Sequence, residues 1–294
     1  MYRVRSKLVQ LLITLAVTFT FTSFSTCVTP ARAQSIWIPR DKDRGILLEA
    51  LHPSIEGIDP EFPTGALYLG ARIGLGETWA LVAELPYAHS EPFIGGGIFL
   101  GNFPSSSTIG NPYLGAEVRV SPDLFVELGA RPPLTDDDEG TATLFGASAD
   151  PSRRLAFAQG TLPVFGYPFA YDAITAQTLF NIRHVTPGGL VARVRLGPAL
   201  VLATEGGRDT EVYALYAVQM AYEGRSVRAG GAFSGWSFVS EDQGNLGQRT
   251  ATQLELHADF GPWTVRPGVD LKMPIGSAAG LVPVILGIAV GASF

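Results

Sequence analysis

The chain closes on "LVPVILGIAVGASF", Leu281–Phe294, and the fold turns on how that stretch is read. It is too short for a membrane-spanning helix, which needs roughly 20 apolar residues, and it carries Pro283, Gly287 and Gly291. At period two it becomes orderly. Val282, Val284, Leu286, Ile288, Val290, Ala292 and Phe294 share one face; Pro283, Ile285, Gly287, Ala289, Gly291 and Ser293 share the other, which is mostly small. Such alternation predicts a strand with one large apolar face and one thin face.

The pattern recurs along the chain. "ALYLGARIGL" sets Leu67, Leu69, Ala71, Ile73 and Leu75 against Tyr68, Gly70, Arg72 and Gly74. "LGAEVRV" opposes Leu114, Ala116, Val118 and Val120 to Gly115, Glu117 and Arg119, and "LFVELGAR" opposes Leu124, Val126, Leu128 and Ala130 to Phe125, Glu127, Gly129 and Arg131. "LVARVRLG", "QLELHADF" and "WTVRPGVDLKM" repeat it, with Arg193, Arg195, Glu255, His257, Asp259, Arg266, Asp270 and Lys272 on the polar side. A soluble sandwich alternates as well. Here, however, one face is nearly free of charge in strand after strand, and the other mixes glycine with both signs of charge. Lipid imposes the first condition, since Lys or Arg at the bilayer midplane costs about 2–4 kcal/mol.

The connections alternate too. Short turns are expected at 76–78, 121–123, 186–189, 223–226 and 261–263. Longer links lie between them, at 53–63, 89–108, 135–170, 204–210, 240–249 and 275–280. Outer-membrane barrels have short periplasmic turns and long outer loops. The expectation is therefore an all-β fold: a transmembrane antiparallel up-and-down β-barrel of about 12 strands spanning 45–294, with a long outer loop at 135–170. Residues 34–44 are expected to form a short periplasmic lead. Trp79, Tyr87, Tyr113, Tyr222, Trp236 and Trp263 fall near strand ends, where interfacial aromatic girdles sit.

Residues 1–33 read as a cleaved secretory signal: basic "MYRVRSK", an apolar core, and "ARA" before Gln34. Its removal takes Arg3, Arg5, Lys7 and Arg32 and the single cysteine, Cys27, and moves the net charge from −6 to −10. A cysteine-free mature chain excludes disulfides and thiol chemistry, and its acidity argues against nucleic acid as a partner. The expected location is the bacterial outer membrane, with lipid and lipopolysaccharide as surroundings.

Two stretches carry a resemblance: "RIGLGETWALVAELPYAHSE", Arg72–Glu91, and "IGNPYLGAEVRVSPDLFVELGARPPL", Ile109–Leu134. With Leu85-Pro86-Tyr87 in the first and Gly110 and Gly115-Ala116-Glu117 in the second, they resemble the bacterial outer-membrane transporter-like family named for the meta-pathway of phenol degradation. Asn111 stands where that family usually has Asp. The likeness covers about the first third of the mature chain, and its motifs are structural. The terminal Phe294 is similar to the last residue of many outer-membrane barrels, which implies recognition by the barrel-assembly machinery.

For chemistry, the polar faces make the lumen the place to look. Arg72, Glu84, Glu117, Arg119, Glu127, Arg131, Arg193, Arg195, Glu255, His257, Arg266, Asp270 and Lys272 are the candidates for setting selectivity, as rings of charge do in channels. Neither a catalytic site nor a cofactor or resident metal is expected. His89 and Ser90 are the sole adjacent His-Ser pair and, as strand neighbours, point to opposite faces. "TDDDEG", Thr135–Gly140, reads as a solvated charge run in preference to a cation site. The expected function is a channel or transporter for an unnamed small solute. The alternative is a non-conducting structural or adhesive barrel whose outer loops bind a partner.

Overall fold

A computed structural model of the chain describes residues 37–38, 44–54, 65–90, 93–95, 101–103, 106–134, 173–204, 210–239, 250–262, 264–275 and 284–294. The expected signal at 1–33 and loop at 135–170 lie outside them. The strands are β1 (Arg44–Ser54), β2 (Gly65–Gly74), β3 (Trp79–Ser90), β4 (Phe93–Gly95), β5 (Gly101–Phe103), β6 (Ser106–Ile109), β7 (Tyr113–Ser121), β8 (Leu124–Arg131), β9 (Ala173–Val185), β10 (Leu190–Ala203), β11 (Glu211–Glu223), β12 (Val227–Phe238), β13 (Thr250–Phe260), β14 (Val265–Ile275) and β15 (Val284–Ser293).

Twelve of them, β1–β3 and β7–β15, form one antiparallel sheet in chain order, and it closes where β15 pairs with β1. At that seam Ala289 lies opposite Glu49 and Ser293 opposite Gly45. The last residue joins in: Phe294 N donates to Arg44 O at 3.0 Å, and Arg44 N returns a bond to Phe294 O at 3.1 Å. Closure leaves the sheet no open edge, which lipid would penalise at every unpaired group. The expected strand count and up-and-down order stand.

The five short turns also fall where the sequence puts them. At 186–189, Gly189 has φ +83, a left-handed conformation that suits glycine. A Cβ there would also meet Glu223 O at 2.7 Å. The link at 89–108 differs from a plain loop. It holds the hairpin β4–β5 and the short strand β6, which pairs with the end of β3 at Tyr87–Ser90. β6 and β7 are thus two parts of one line of pairing along β3, broken at Gly110–Pro112. Asn111, fully buried, holds the break. Its carbonyl accepts from Arg131 Nη1 at 2.8 Å, and its Oδ1 accepts from Leu134 N at 2.7 Å.

Outward faces match the alternation. Leu286, Ile288 and Phe294 are 58, 64 and 57% exposed on β15 and just beyond it, whereas Ile285 is fully buried inside. Trp79, Tyr87 and Tyr222 also face out near strand ends, as a girdle requires. Tyr113 and Trp236 do not. Each is 1% exposed and points into the barrel, and each stands on the same face as lumenal residues of its own strand, Glu117 and Ser234. Period-two parity overrides their position near a strand end. Trp263 lies outside the described residues.

Ile288 stands near the middle of β15 on the lipid face. Ile288→Arg is expected to lower folding stability by about 2–4 kcal/mol, read as a shift in the denaturant midpoint for folding into lipid vesicles.

Candidate functional site: the lumen

The inward residues of successive strands converge on a lumen dense in charge. On β13, Glu255, His257 and Asp259 follow one another at period two and are each at most 3% exposed. His257 Nδ1 lies 2.7 Å from Asp270 Oδ1 of β14, and its Nε2 lies 3.1 Å from Asp259 Oδ2. Donating to both at once requires a proton on each ring nitrogen. Arg228 of β12 gives Nε to Asp259 Oδ2 at 2.7 Å. Arg266 Nη1 reaches Asp259 Oδ1 at 3.4 Å, and its Nη2 donates to Gly224 O at 2.8 Å. Lys272 Nζ donates to Glu49 Oε1 at 3.1 Å across β15.

A second group covers the opposite arc. Arg131 donates to Glu84, and its guanidinium lies 5.3 Å from the centroid of the Tyr113 ring. Tyr113 donates to Glu127 at 2.7 Å, and Arg195 Nη2 donates to the other oxygen of Glu127 at 3.1 Å. Asn181 Oδ1 accepts from both Arg193 and Arg195, at 3.1 and 2.8 Å. Arg72 pairs with Glu117 at 2.9 Å, and Arg183 with Glu223 at 2.7 Å. The ring of Tyr113 covers Gly115 and Gly129; a Cβ at Gly129 would sit 2.2 Å from the phenolic oxygen.

These ion pairs share one geometry. Each joins neighbouring strands or next-but-one strands: β13 to β14, β12 to β13, β14 to β1, β3 to β8, β8 to β10, β2 to β7, β9 to β11. They run along the wall and do not reach across the barrel.

Among the described residues, two that precede β1 lie in the lumen. Of the lead at 34–44, the residues described before the strand are Trp37 and Ile38, and both are inside the barrel rather than in the periplasm, with 0 and 2% exposure. Trp37 stacks on His257, centroids 4.5 Å apart and planes 19° from parallel, and its Nε1 donates to Glu255 Oε2 at 3.2 Å. Around the two lie Leu47, Ala217, Ala221, Ala232 and Ala289. Ile38 packs on Gly70, where a Cβ would meet its Cδ1 at 2.7 Å. The thin inner faces of β11, β12 and β15 give this segment its room, and a gain in apolar burial drives it in.

Every lumenal candidate named from sequence is therefore on the inner face. Arg119 is exposed at the short-turn end, with its guanidinium 5.8 Å from the centroid of the Phe125 ring. Arg228, Trp37, Tyr113 and Asn181 were missed. Arg228 had a signal, since it shares parity with Gly230, Ala232 and Ser234 beyond a recognised turn; Trp37 had none at strand level. Among the described residues no group of three or more His, Cys, Asp or Glu is placed to hold a metal, and "TDDDEG" lies outside them.

One arrangement on the outer wall was also missed. His89 finds a hydroxyl on β6. Ser107 is its direct cross-strand partner, with Oγ 2.7 Å from His89 Nδ1. Ser107 is exposed, and His89 shares the outward face of β3 with Leu85 and Tyr87.

A scan of family models finds no match, and neither does a sequence comparison with curated proteins. Solved structures are similar in fold. An outer-membrane channel from Pseudomonas putida F1 superposes with a TM-score of 0.61 at 9% identity, covering 90% of this chain and 100% of that one. LpxR from Salmonella typhimurium and the NanC porin each reach 0.50, at 11 and 7% identity, over 85% of this chain and all of theirs. At these identities the likeness is one of fold: the chain has the fold of the outer-membrane β-barrels.

The Lys272–Glu49 pair offers a direct check on the lumen. Lys272→Met alone removes the lysine partner of a buried carboxylate and is expected to cost about 3–5 kcal/mol. Glu49→Leu with Lys272→Met removes both charges and should recover most of it. A double-mutant cycle on denaturant unfolding measures the difference.

Proposed function

We propose that the protein is an outer-membrane channel for a small solute, held shut by its own N-terminal segment. The observation that carries this reading is the position of Trp37. The described wall charges are tied down to the wall, whereas Trp37 and Ile38 belong to a tethered segment, and a tethered segment is removable without unpicking the barrel. The alanine and glycine faces around it would become open lumen once it left, lined on both arcs by the charges that set selectivity. The fold likeness to an outer-membrane channel and to a porin agrees with this reading. The meta-pathway family resemblance belongs to the same proposal.

Planar-bilayer recording tests it. The mature chain, residues 34–294, should show rare or no steady current steps. A chain lacking 34–38, or carrying Trp37→Ala, should show steady steps whose reversal potential in a salt gradient moves towards cations with Arg195→Glu. If the shortened chain folds as a heat-modifiable barrel yet stays silent, the channel reading is wrong and a structural barrel takes its place.

A second reading has one observation in its favour, the His89–Ser107 contact. A hydroxyl bonded to an imidazole on a lipid-facing wall is the start of a hydrolase site for membrane lipid. A fluorophosphonate probe should then label the folded protein, and Ser107→Ala should abolish labelling. Absence of labelling in the folded wild type removes this reading.

A further inference from the structure

At the short-turn end lies a cavity of about 440 Å³, lined in part by the turn at 74–79 and by Pro122. Its walls carry Arg72, Arg119, Arg183, Arg193, Asn181 and Phe125. Two acidic residues, Glu77 and Glu117, also line it, so the lining holds two more positive than negative charges. Glu117 is engaged by Arg72.

The backbone register brings two of these arginines face to face. Arg193 of β10 is directly opposite Arg183 of β9, and Arg195 is opposite Asn181. Like charges facing one another across a strand pair are destabilising. Each arginine is met in turn: Glu223 takes Arg183, Glu127 takes Arg195, and the side-chain carbonyl of Asn181 accepts from Arg193 and Arg195 together. Accepting both hydrogen bonds at Oδ1 fixes the orientation of the Asn181 amide. Its Nδ2, buried with no hydrogen-bond partner, adds one more donor to a wall already rich in donors. Arg193 is 2% exposed, so its charge is poorly screened by water, whereas Arg72 and Arg183 keep 14 and 18% of their side chains in contact with solvent. Such a concave, low-dielectric site with one sign of charge focuses its field on an incoming counter-ion.

The apolar component narrows the ligand. Phe125 forms part of the wall beside Arg119, whose guanidinium stacks on it. The volume lies in the range of small-molecule pockets, about 300–1,000 Å³, far larger than a bare inorganic anion needs. Guanidinium groups bind planar carboxylates through paired, charge-assisted bonds. We infer that this vestibule binds a small organic carboxylate, its charged end on the arginines and its apolar body against Phe125. As a statement of the channel's solute class, this rests on the channel reading; as a binding site, it does not.

Isothermal titration of the folded mature barrel in detergent separates the two. Hexanoate, inorganic phosphate and hexylamine are the probes. Hexanoate should bind at a single site, more weakly as salt is raised, while hexylamine should not bind. Arg119→Gln, at an exposed position that leaves the barrel walls untouched, should weaken hexanoate about tenfold. Phe125→Ala should weaken hexanoate but not phosphate. Phosphate binding without hexanoate would overturn the organic assignment, and no anion binding would overturn the site. Because titration needs no current, hexanoate binding by the mature barrel together with silence of the folded chain lacking 34–38 refutes the channel and keeps the site, and a chain that conducts once 34–38 is removed, with no hexanoate binding, does the reverse.

Discussion

The constraint on which everything else depends is that no backbone amide or carbonyl within the hydrocarbon may go unpaired. It forces the sheet to close, and closure brings the two ends of the barrel together at β1 and β15. Reciprocal bonds between Arg44 and Phe294 extend that seam to the last residue. Once the ladder is closed, parity sorts every side chain into lipid or lumen with no third option. The separation of charge follows: the outward positions carry mostly Leu, Ile and Val, and Arg, Lys, Glu and Asp turn inward on the same strands.

The inward half of that sorting creates a second problem. More than a dozen ionisable groups are confined where water reaches few of them. Burial of an ion is costly unless its partner and hydrogen bonds are well placed. The barrel meets this with short wall-hugging pairs and with neutral mediators: Tyr113 beneath Arg131, Asn181 between two arginines, Trp37 across His257. The two arcs are unlike. The β12–β14 side balances its charges within one tight network, while the β9–β10 side carries opposed arginines and opens into the vestibule.

Much of this was legible in the sequence, because strand parity and turn chemistry are local. Leu286, Ile288 and Val290 against Gly287, Ala289 and Gly291 gave the faces of β15, and turn residues gave all five short connections. Where local and parity signals disagreed, parity won, as Tyr113 and Trp236 show by turning inward. What was not legible arises from contacts across the fold. Trp37 meets Glu255 from 218 residues away, and nothing near Trp37 announces it. Ser107 meets His89 through β6, a strand of four residues inside what reads as a loop. Asn111 belongs to a motif stretch, but its work of holding the β6–β7 break appears only once Leu134 and Arg131 are in place.

Trp37 sits only a few residues before β1 begins. A group tethered that closely meets its own site at an effective concentration on the order of millimolar. In the proposed channel it would act as a competitor that can never be washed away: any solute seeking its place would have to arrive at comparable concentration or bind more tightly. Leaving costs the protein no lost subunit, and return needs no encounter. On the channel reading proposed above, the barrel would carry its inhibitor covalently, and the length of that tether, more than the strength of any single contact, would set how steep a supply keeps the lumen clear.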